Sequence, residues 1–303
     1  MPPFSIVTVS TLVDADRWDP DQPDEPGQPA ELPIGALRRS LARKLREARE
    51  AARMSRAAVE RRGGGSQSKL TRIENGTSIP RRADVEFLAR LYKLPEETVN
   101  ALSEMAVKAR QQTWWEVLGK GLPSEENFEI YLSFESFARS LQVVGGLVVP
   151  GIAQSEEYMR HRLAEVPEPL GQDVIDRTVQ IRMRRQEEIL GRIPVTVVIP
   201  EEALHREHGG SGGVQRQIAY LCELNSRHAT DIRCLPYSAG PYQGGFGEFT
   251  ILEFPGHTGE RPVVYTETYF GGQYSASDEV LGGIKQRFAA IASRSVPIEE
   301  FAA

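Results

Sequence analysis

Residues 54–76 read MSRAAVERRGGGSQSKLTRIENG, and this stretch decides the fold. Ser55 is a good N-cap for a short helix over residues 56–62, because its hydroxyl can accept from a free first-turn amide. Gly63-Gly64-Gly65 breaks that helix. Ser66 caps a second one that runs through Glu74, with Leu70 and Ile73 on its inner face. Asn75-Gly76 ends it, since glycine takes the left-handed C′ conformation cheaply. Two short helices about a glycine turn form the helix-turn-helix pattern.

The surrounding sequence extends this pattern into a helical bundle. Leu37, Leu41, Leu45 and Ala52 keep to one face of a preceding helix, with Arg38, Arg39, Arg43, Lys44, Arg46 and Arg49 largely elsewhere. Pro80 opens a fourth helix carrying Val85, Leu88, Leu91 and Tyr92. Pro95-Glu96-Glu97 starts a fifth, running toward Gln112.

Charge is unevenly distributed. The chain of 303 residues carries a net −6. Residues 1–35 hold one arginine and seven acids, whereas residues 36–94 hold sixteen Lys/Arg and six acids. A compact basic block in an acidic chain is the electrostatic footprint of a polyanion site. A recognition helix must place polar side chains of moderate length on base edges in the major groove, about 12 Å wide. Gln67, Ser68, Lys69, Thr71 and Arg72 are those side chains here, and they are the expected base contacts.

On these residues the segment resembles the Xre/lambda-repressor family of DNA-binding domains. The match is gap-free from Met54 to Gly76, and Arg72-Ile73-Glu74-Asn75-Gly76 is nearly the family ending. The resemblance implies a five-helix bundle over about 36–105. It puts base reading on Gln67, Ser68 and Arg72, each bidentate pair discriminating by ~1–3 kcal/mol. It puts phosphate contact on Arg56 and Asn75; Ser66, at the helix start, and Arg81 and Arg82, by charge, complete the expected phosphate set. Gly63 stands where the family usually has Leu, and Gly65 where it has Val. A lost buried Leu costs ~2–5 kcal/mol, so the isolated bundle is expected to be marginal and to lean on the rest of the chain or on a dimer partner.

The fold class expected is therefore a mainly α helix-turn-helix bundle followed by an α+β domain. The domains are an arm over 1–33, a DNA-binding domain over 34–110 and a regulatory or dimerisation domain over 111–303. Within the last, helices occupy roughly 124–190, strand-like runs fall at 193–199, 230–235, 246–254 and 263–269, and further helices at 214–228 and 278–293. Trp114-Trp115 reads as a core plug joining the two domains. The tyrosines and phenylalanines at 237, 242, 246, 265, 269, 270 and 274 read mainly as core, with an aromatic-lined effector pocket as the alternative. The strip Arg182–Arg185 reads as a solvated helix face or a dock for an acidic partner.

This region resembles WhiJ-like bacterial regulators. The shared elements are Trp114-Trp115, VPGIAQSEEY at 149–158, Arg182, Arg185 and Gln186, LPYSAG at 235–240, FTILEF at 249–254 and VYTE at 264–267. The resemblance implies a transcriptional regulator, often encoded beside a small partner protein in an antitoxin-like arrangement.

Other classes have less support. His205 and His208 lack the zincin spacing, so no metal is expected. Gly244–Gly247 lacks the context of a phosphate loop, and residues 209–213 read as a connector. Cys222 and Cys234 sit in apolar surroundings that suit inert thiols. No catalytic constellation and no cofactor are expected. Two cysteines, no long apolar run and no basic residue ahead of one make the cytoplasm the expected compartment. The expected partners are double-stranded DNA, a second copy of the chain, and a small protein or small-molecule effector. The rival reading is an antitoxin-like interaction module in which DNA binding is secondary, with the glycine turn as its support.

Residues 4–13 are β-prone and residues 14–33 are acidic and Pro-rich, and the whole of 1–33 reads as a mostly disordered arm. Residues 14–31, tethered beside a basic block, are expected to fold back over it and compete with DNA. Deleting residues 1–33 should raise operator affinity at low salt in a titration with labelled DNA. No gain would dismiss this autoinhibition.

Overall fold

A computed structural model describes residues 34–111, 113–118, 128–166, 169–210, 212–227, 230–241, 247–256, 260–268 and 271–302. The arm over 1–33 and the rings of Tyr242, Phe246, Tyr269 and Phe270 lie outside the described residues.

Five helices form the first bundle: α1 (Ile34–Ala51), α2 (Arg56–Arg61), α3 (Gln67–Glu74), α4 (Arg82–Leu91) and α5 (Glu96–Ala109). Ser55 and Ser66 cap α2 and α3 as expected, accepting from the amides of Ala58 and Lys69 at 3.2 Å each. The fourth helix starts two residues after Pro80, at Arg82, and the Asp84 carboxylate accepts from the Arg81 amide at 3.2 Å. Leu41, Leu45, Val59, Leu70, Ile73, Val85, Leu88 and Leu102 are buried in one apolar core.

Four of these helices end in the same way. After α2, the Gly63 amide donates to Glu60 and the Gly64 amide to Val59, which is the Schellman pairing. After α3, Gly76 donates to Ile73 and Thr77 to Arg72. Arg53 after α1 and Lys93 after α4 make the equivalent bonds. Gly63 sits at φ +85° and Gly76 at φ +75°, where a side chain is strained. Gly63 thus closes α2 with its backbone, at a φ that glycine takes without strain.

α6 (Trp114–Leu118) and α7 (Phe128–Glu135) lead into the second region. Next come β1 (Ser140–Val144), α8 (Glu156–Ala164), α9 (Gln172–Ile189), β2 (Val195–Pro200), α10 (Glu201–His205), α11 (Gly213–Arg227) and β3 (Thr230–Leu235). β4 (Phe249–Glu253), β5 (Val263–Thr268), β6 (Gly271–Ser275), α12 (Asp278–Ala292), β7 (Val296–Pro297) and α13 (Ile298–Ala302) complete the chain. The strands form one seven-stranded sheet in the order β6-β5-β4-β1-β2-β3-β7. β1, β2 and β3 are mutually parallel, and the remaining pairings are antiparallel.

Both faces of the sheet's centre are covered. Val143, Val197, Ile232 and Leu252 point into a large core shared with Phe134, Ile152 and Leu221. Val144, Val198, Leu235 and Ile251 point the other way, against Leu281, Phe288 and Ile291 of α12. Burial on both sides explains the apolar run Val197–Pro200 in β2. Three strands depart from the sequence expectation. β1, read as part of a helical stretch, is the strand between β4 and β2; β6 and β7 were not anticipated.

The two regions share α1. Leu41, Leu45 and Ala48 belong to the bundle core, whereas Ala36 belongs to the core under the sheet. α1 lies so close to α7 that a side chain at Gly35 would run into the Ser133 carbonyl. Arg38 donates to both Glu116 oxygens, at 2.9 and 3.1 Å, and its Nε to the Ala109 carbonyl at 2.8 Å. Trp115 is buried against Leu132 and Ile181, with Trp114 edge-on at 5.4 Å. The bundle therefore leans on α6 and α7 through α1.

Arg53 and Lys93 carry positive φ, at 53° and 62°. Arg53→Gly and Lys93→Gly should each raise unfolding stability by about 1 kcal/mol in urea titrations, by relieving that strain. A loss of stability in both would contradict the cap assignment.

Candidate DNA interface

α3 divides by burial into two faces. Leu70 and Ile73 are buried, and Gln67, Ser68, Arg72 and Asn75 are exposed. The spacing of the exposed four keeps them on one side of the helix. Of the expected base contacts, Arg72 has no side-chain hydrogen bond or ion pair among the described residues. The Gln67 amide donates to Glu60 at 2.8 Å, an exposed bond that a base edge can replace. Thr71 is half-buried and its hydroxyl donates back to the Gln67 carbonyl at 2.8 Å. Lys69 is half-buried and pairs with Asp84 at 2.7 Å, which ties α3 to the start of α4. Burial works against ionisation of Asp84, but Lys69 and the Arg81 amide outweigh it and hold the carboxyl below the usual carboxylate range.

Of the expected phosphate contacts, Ser66, Asn75, Arg81 and Arg82 are all exposed. Arg82 donates to Glu86 at 2.8 Å, one turn along α4. Arg56 is half-buried and donates from Nε to Glu74 at 2.9 Å.

Glu74 is the residue that sequence reasoning missed. It is 6% exposed and is held by arginines from two helices. Arg49 of α1 forms a fork with it, Nε to Oε1 at 2.6 Å and Nη2 to Oε2 at 3.0 Å. Arg56 of α2 takes Oε2 from the other side, Nη2 at 2.7 Å. Arg49 also donates to the Met54 carbonyl at 2.9 Å, where α1 ends. The Glu74 carboxylate holds the Arg49 guanidinium above its ordinary value. One carboxylate thus joins α1, α2 and α3 at the end of the helix that presents Arg72. Arg49 was expected off the core face and is buried instead, because its charge is matched by a residue 25 positions away.

The second region has its own buried polar wiring, centred on residues 149–158 and on Arg182, Arg185 and Gln186. The strip Arg182–Arg185 is not one solvated face. Arg184 lies over the Trp114 ring at 4.8 Å, and Met183 packs beside Met159 and Ile175. Arg185 forks onto Glu135 at 2.6 and 2.8 Å and reaches the Tyr131 hydroxyl at 3.2 Å. Gln186 donates to the carbonyls of Gly151 and Gln154, at 3.1 and 2.8 Å. Gln217 donates to Ala153 and accepts from the Ser155 amide, both at 2.8 Å. Gln154 itself donates to the Val149 carbonyl at 2.6 Å. These bonds satisfy the buried backbone of the loop after β1.

Among the described residues, no group of three His, Cys, Asp or Glu is placed to hold a metal, and no helix is long and apolar enough to cross a membrane. His205 is exposed and pairs with Glu201 at 3.0 Å, whereas His208 packs on Tyr158. Cys234 is buried, and burial pushes its thiol up to about 12.

Comparison with known families matches residues 40–102 to a helix-turn-helix domain and residues 128–302 to a domain of unknown function, DUF5753. No curated protein and no solved structure matches the chain.

Removing one partner of a buried ion pair strands the other, at a cost of about 3–5 kcal/mol. Glu74→Ala should therefore destabilise the bundle by that amount in denaturant titrations and weaken DNA binding with it. A variant that melts like the parent would contradict the clamp.

Proposed function

The chain belongs to the DUF5753 family and carries a helix-turn-helix domain, and from that premise we propose that it is a sequence-specific transcriptional regulator of the Xre and WhiJ-like type. The observation that carries this reading is the exposed face of α3. Its polar tips stand outward while Leu70, Ile73 and Glu74 lock the helix to the bundle.

In the proposed mechanism α3 enters the major groove. Gln67 pairs with adenine, Arg72 with guanine, and Ser68, Lys69 and Thr71 flank them. Arg56, Ser66, Asn75, Arg81 and Arg82 lie along the phosphates and set register without reading sequence. Two copies bind half-sites about one helical turn, or a multiple, apart. Bound protein blocks or opens the promoter, and the sheet domain modulates this through dimerisation, a ligand or a small partner protein. The proposed regulator acts in the cytoplasm and performs no catalytic step.

An antitoxin-like module, with DNA binding secondary, is the other reading. Its support was the glycine turn, and the Schellman pairing at Gly63 gives that turn a structural role in a folded bundle. The reading therefore keeps only the sequence resemblance in its favour.

Arg72→Ala should weaken operator binding by ~1–3 kcal/mol and relax base preference at one position of each half-site. Selection of bound sequences with parent and variant measures both. With about six phosphates neutralised, log affinity should fall with log salt at a slope of about −5. Unchanged selectivity in Arg72→Ala, or affinity indifferent to salt, would count against the proposal.

A further inference from the structure

At the carboxyl end of β1 the sheet changes from parallel pairing with β2 to antiparallel pairing with β4. A cavity of about 210 Å³ opens there. Val143, Val149, Ile152 and Phe249 give it an apolar wall. Phe128, Tyr131 and Tyr265 give it a wall of rings, with Phe128 parallel to Tyr131 at 6.1 Å and Tyr131 against Tyr265 at 4.7 Å.

The polar end of the cavity carries two converging guanidiniums. Arg182 and Arg185 both line it. Their Nη1 atoms converge on Gly151, lying 3.9 and 3.4 Å from where a Cβ on that residue would stand. The Arg185 side chain is nine-tenths buried. Its Nε and Nη2 are bonded to Glu135 and Tyr131, and its Nη1 makes no hydrogen bond among the described residues. Arg162 and the carboxyls of Glu248 and Glu267 also face the cavity. Burial pushes the Glu248 carboxyl above its ordinary value.

The ring wall leads back to the recognition helix. Tyr265 meets Tyr274 at 5.1 Å, and Tyr274 meets Phe134 at 5.5 Å. Arg39 lies over the Phe134 ring at 4.3 Å. Its Nη1 donates to the Asn75 carbonyl at 2.9 Å, at the C-cap of α3. A shift of α7 or of these rings therefore reaches the end of the DNA-reading helix by direct contact.

We propose that this cavity is an effector site for a small aromatic carboxylate, and that the Tyr265–Tyr274–Phe134–Arg39 contacts carry its occupancy to α3. Only the second half rests on the DNA-binding reading above. The carboxylate meets Arg185 and Arg182 at Gly151, and the ring lies among Phe128, Tyr131 and Tyr265.

The test is calorimetry on the full chain with benzoate, 4-hydroxyphenylacetate and indole-3-acetate, each against its amide. At least one acid should bind saturably, about tenfold or more tighter than its amide, as loss of a charged hydrogen bond requires. Gly151→Val fills the space before the guanidiniums and should cost a similar factor, as should Arg182→Gln. No saturable binding of any acid, or equal binding of acid and amide by the parent, overturns the site. Operator affinity is then measured with and without the bound acid, where a change of about fivefold or more is expected. Arg39→Gln should abolish that change and leave the calorimetric binding intact. An acid that binds without moving operator affinity overturns the relay. If no DNA sequence is bound in either state, the DNA-binding reading and the relay fall together, while calorimetry still decides the cavity.

Discussion

Everything in this structure turns on α1 serving two cores at once. Its middle and second half supply Leu41, Leu45 and Ala48 to the helix-turn-helix bundle, and its first turn buries Ala36 under the sheet. Eighteen residues span about 27 Å, so one rigid rod reaches both regions. The charged face between those ends is spent on fixed partners: Arg38 on Glu116, and Arg39 on Phe134 and Asn75. Any rotation of the bundle against the sheet must break these contacts together. A domain joined in this way transmits displacement, which a flexible linker would absorb.

Both regions use the same buried device, an arginine forked onto a carboxylate. Arg49–Glu74 fastens α3 to its bundle, and Arg185–Glu135 fastens α9 to α7. Such pairs add little net stability over apolar packing, because desolvation offsets their attraction. They do demand one geometry. Glu74 sets where α3 ends, and Arg185 sets how α7 faces the loop after β1. Geometry is what a reading head and a sensing pocket both require.

The helix-turn-helix was legible because its signals are local. Ser66, Asn75-Gly76 and the apolar spacing of Leu70 and Ile73 lie within one short segment. β2 was legible as a mostly apolar run buried on both faces, and β3 as a short run that ends in buried Cys234 and Leu235. β1 was not, since SLQVV is five residues long, follows a helix and runs into Gly145-Gly146. β6, reading GGQYS, has no apolar pattern at all. The buried arginines were hidden for another reason. A charge in a helix reads as solvated unless its partner is known, and Glu135 lies 50 positions from Arg185. The outward face of α3 could be named in advance, whereas the clamps that aim it could not.

The central claim is that α3 reads base edges. Selection of bound fragments from a random double-stranded pool by the full chain, followed by sequencing, addresses it without assuming an operator. The account predicts a short enriched motif with two related half-sites, spaced by about one helical turn or a multiple of it. Retained fragments with no shared sequence, or no fragments retained at low salt, would contradict it.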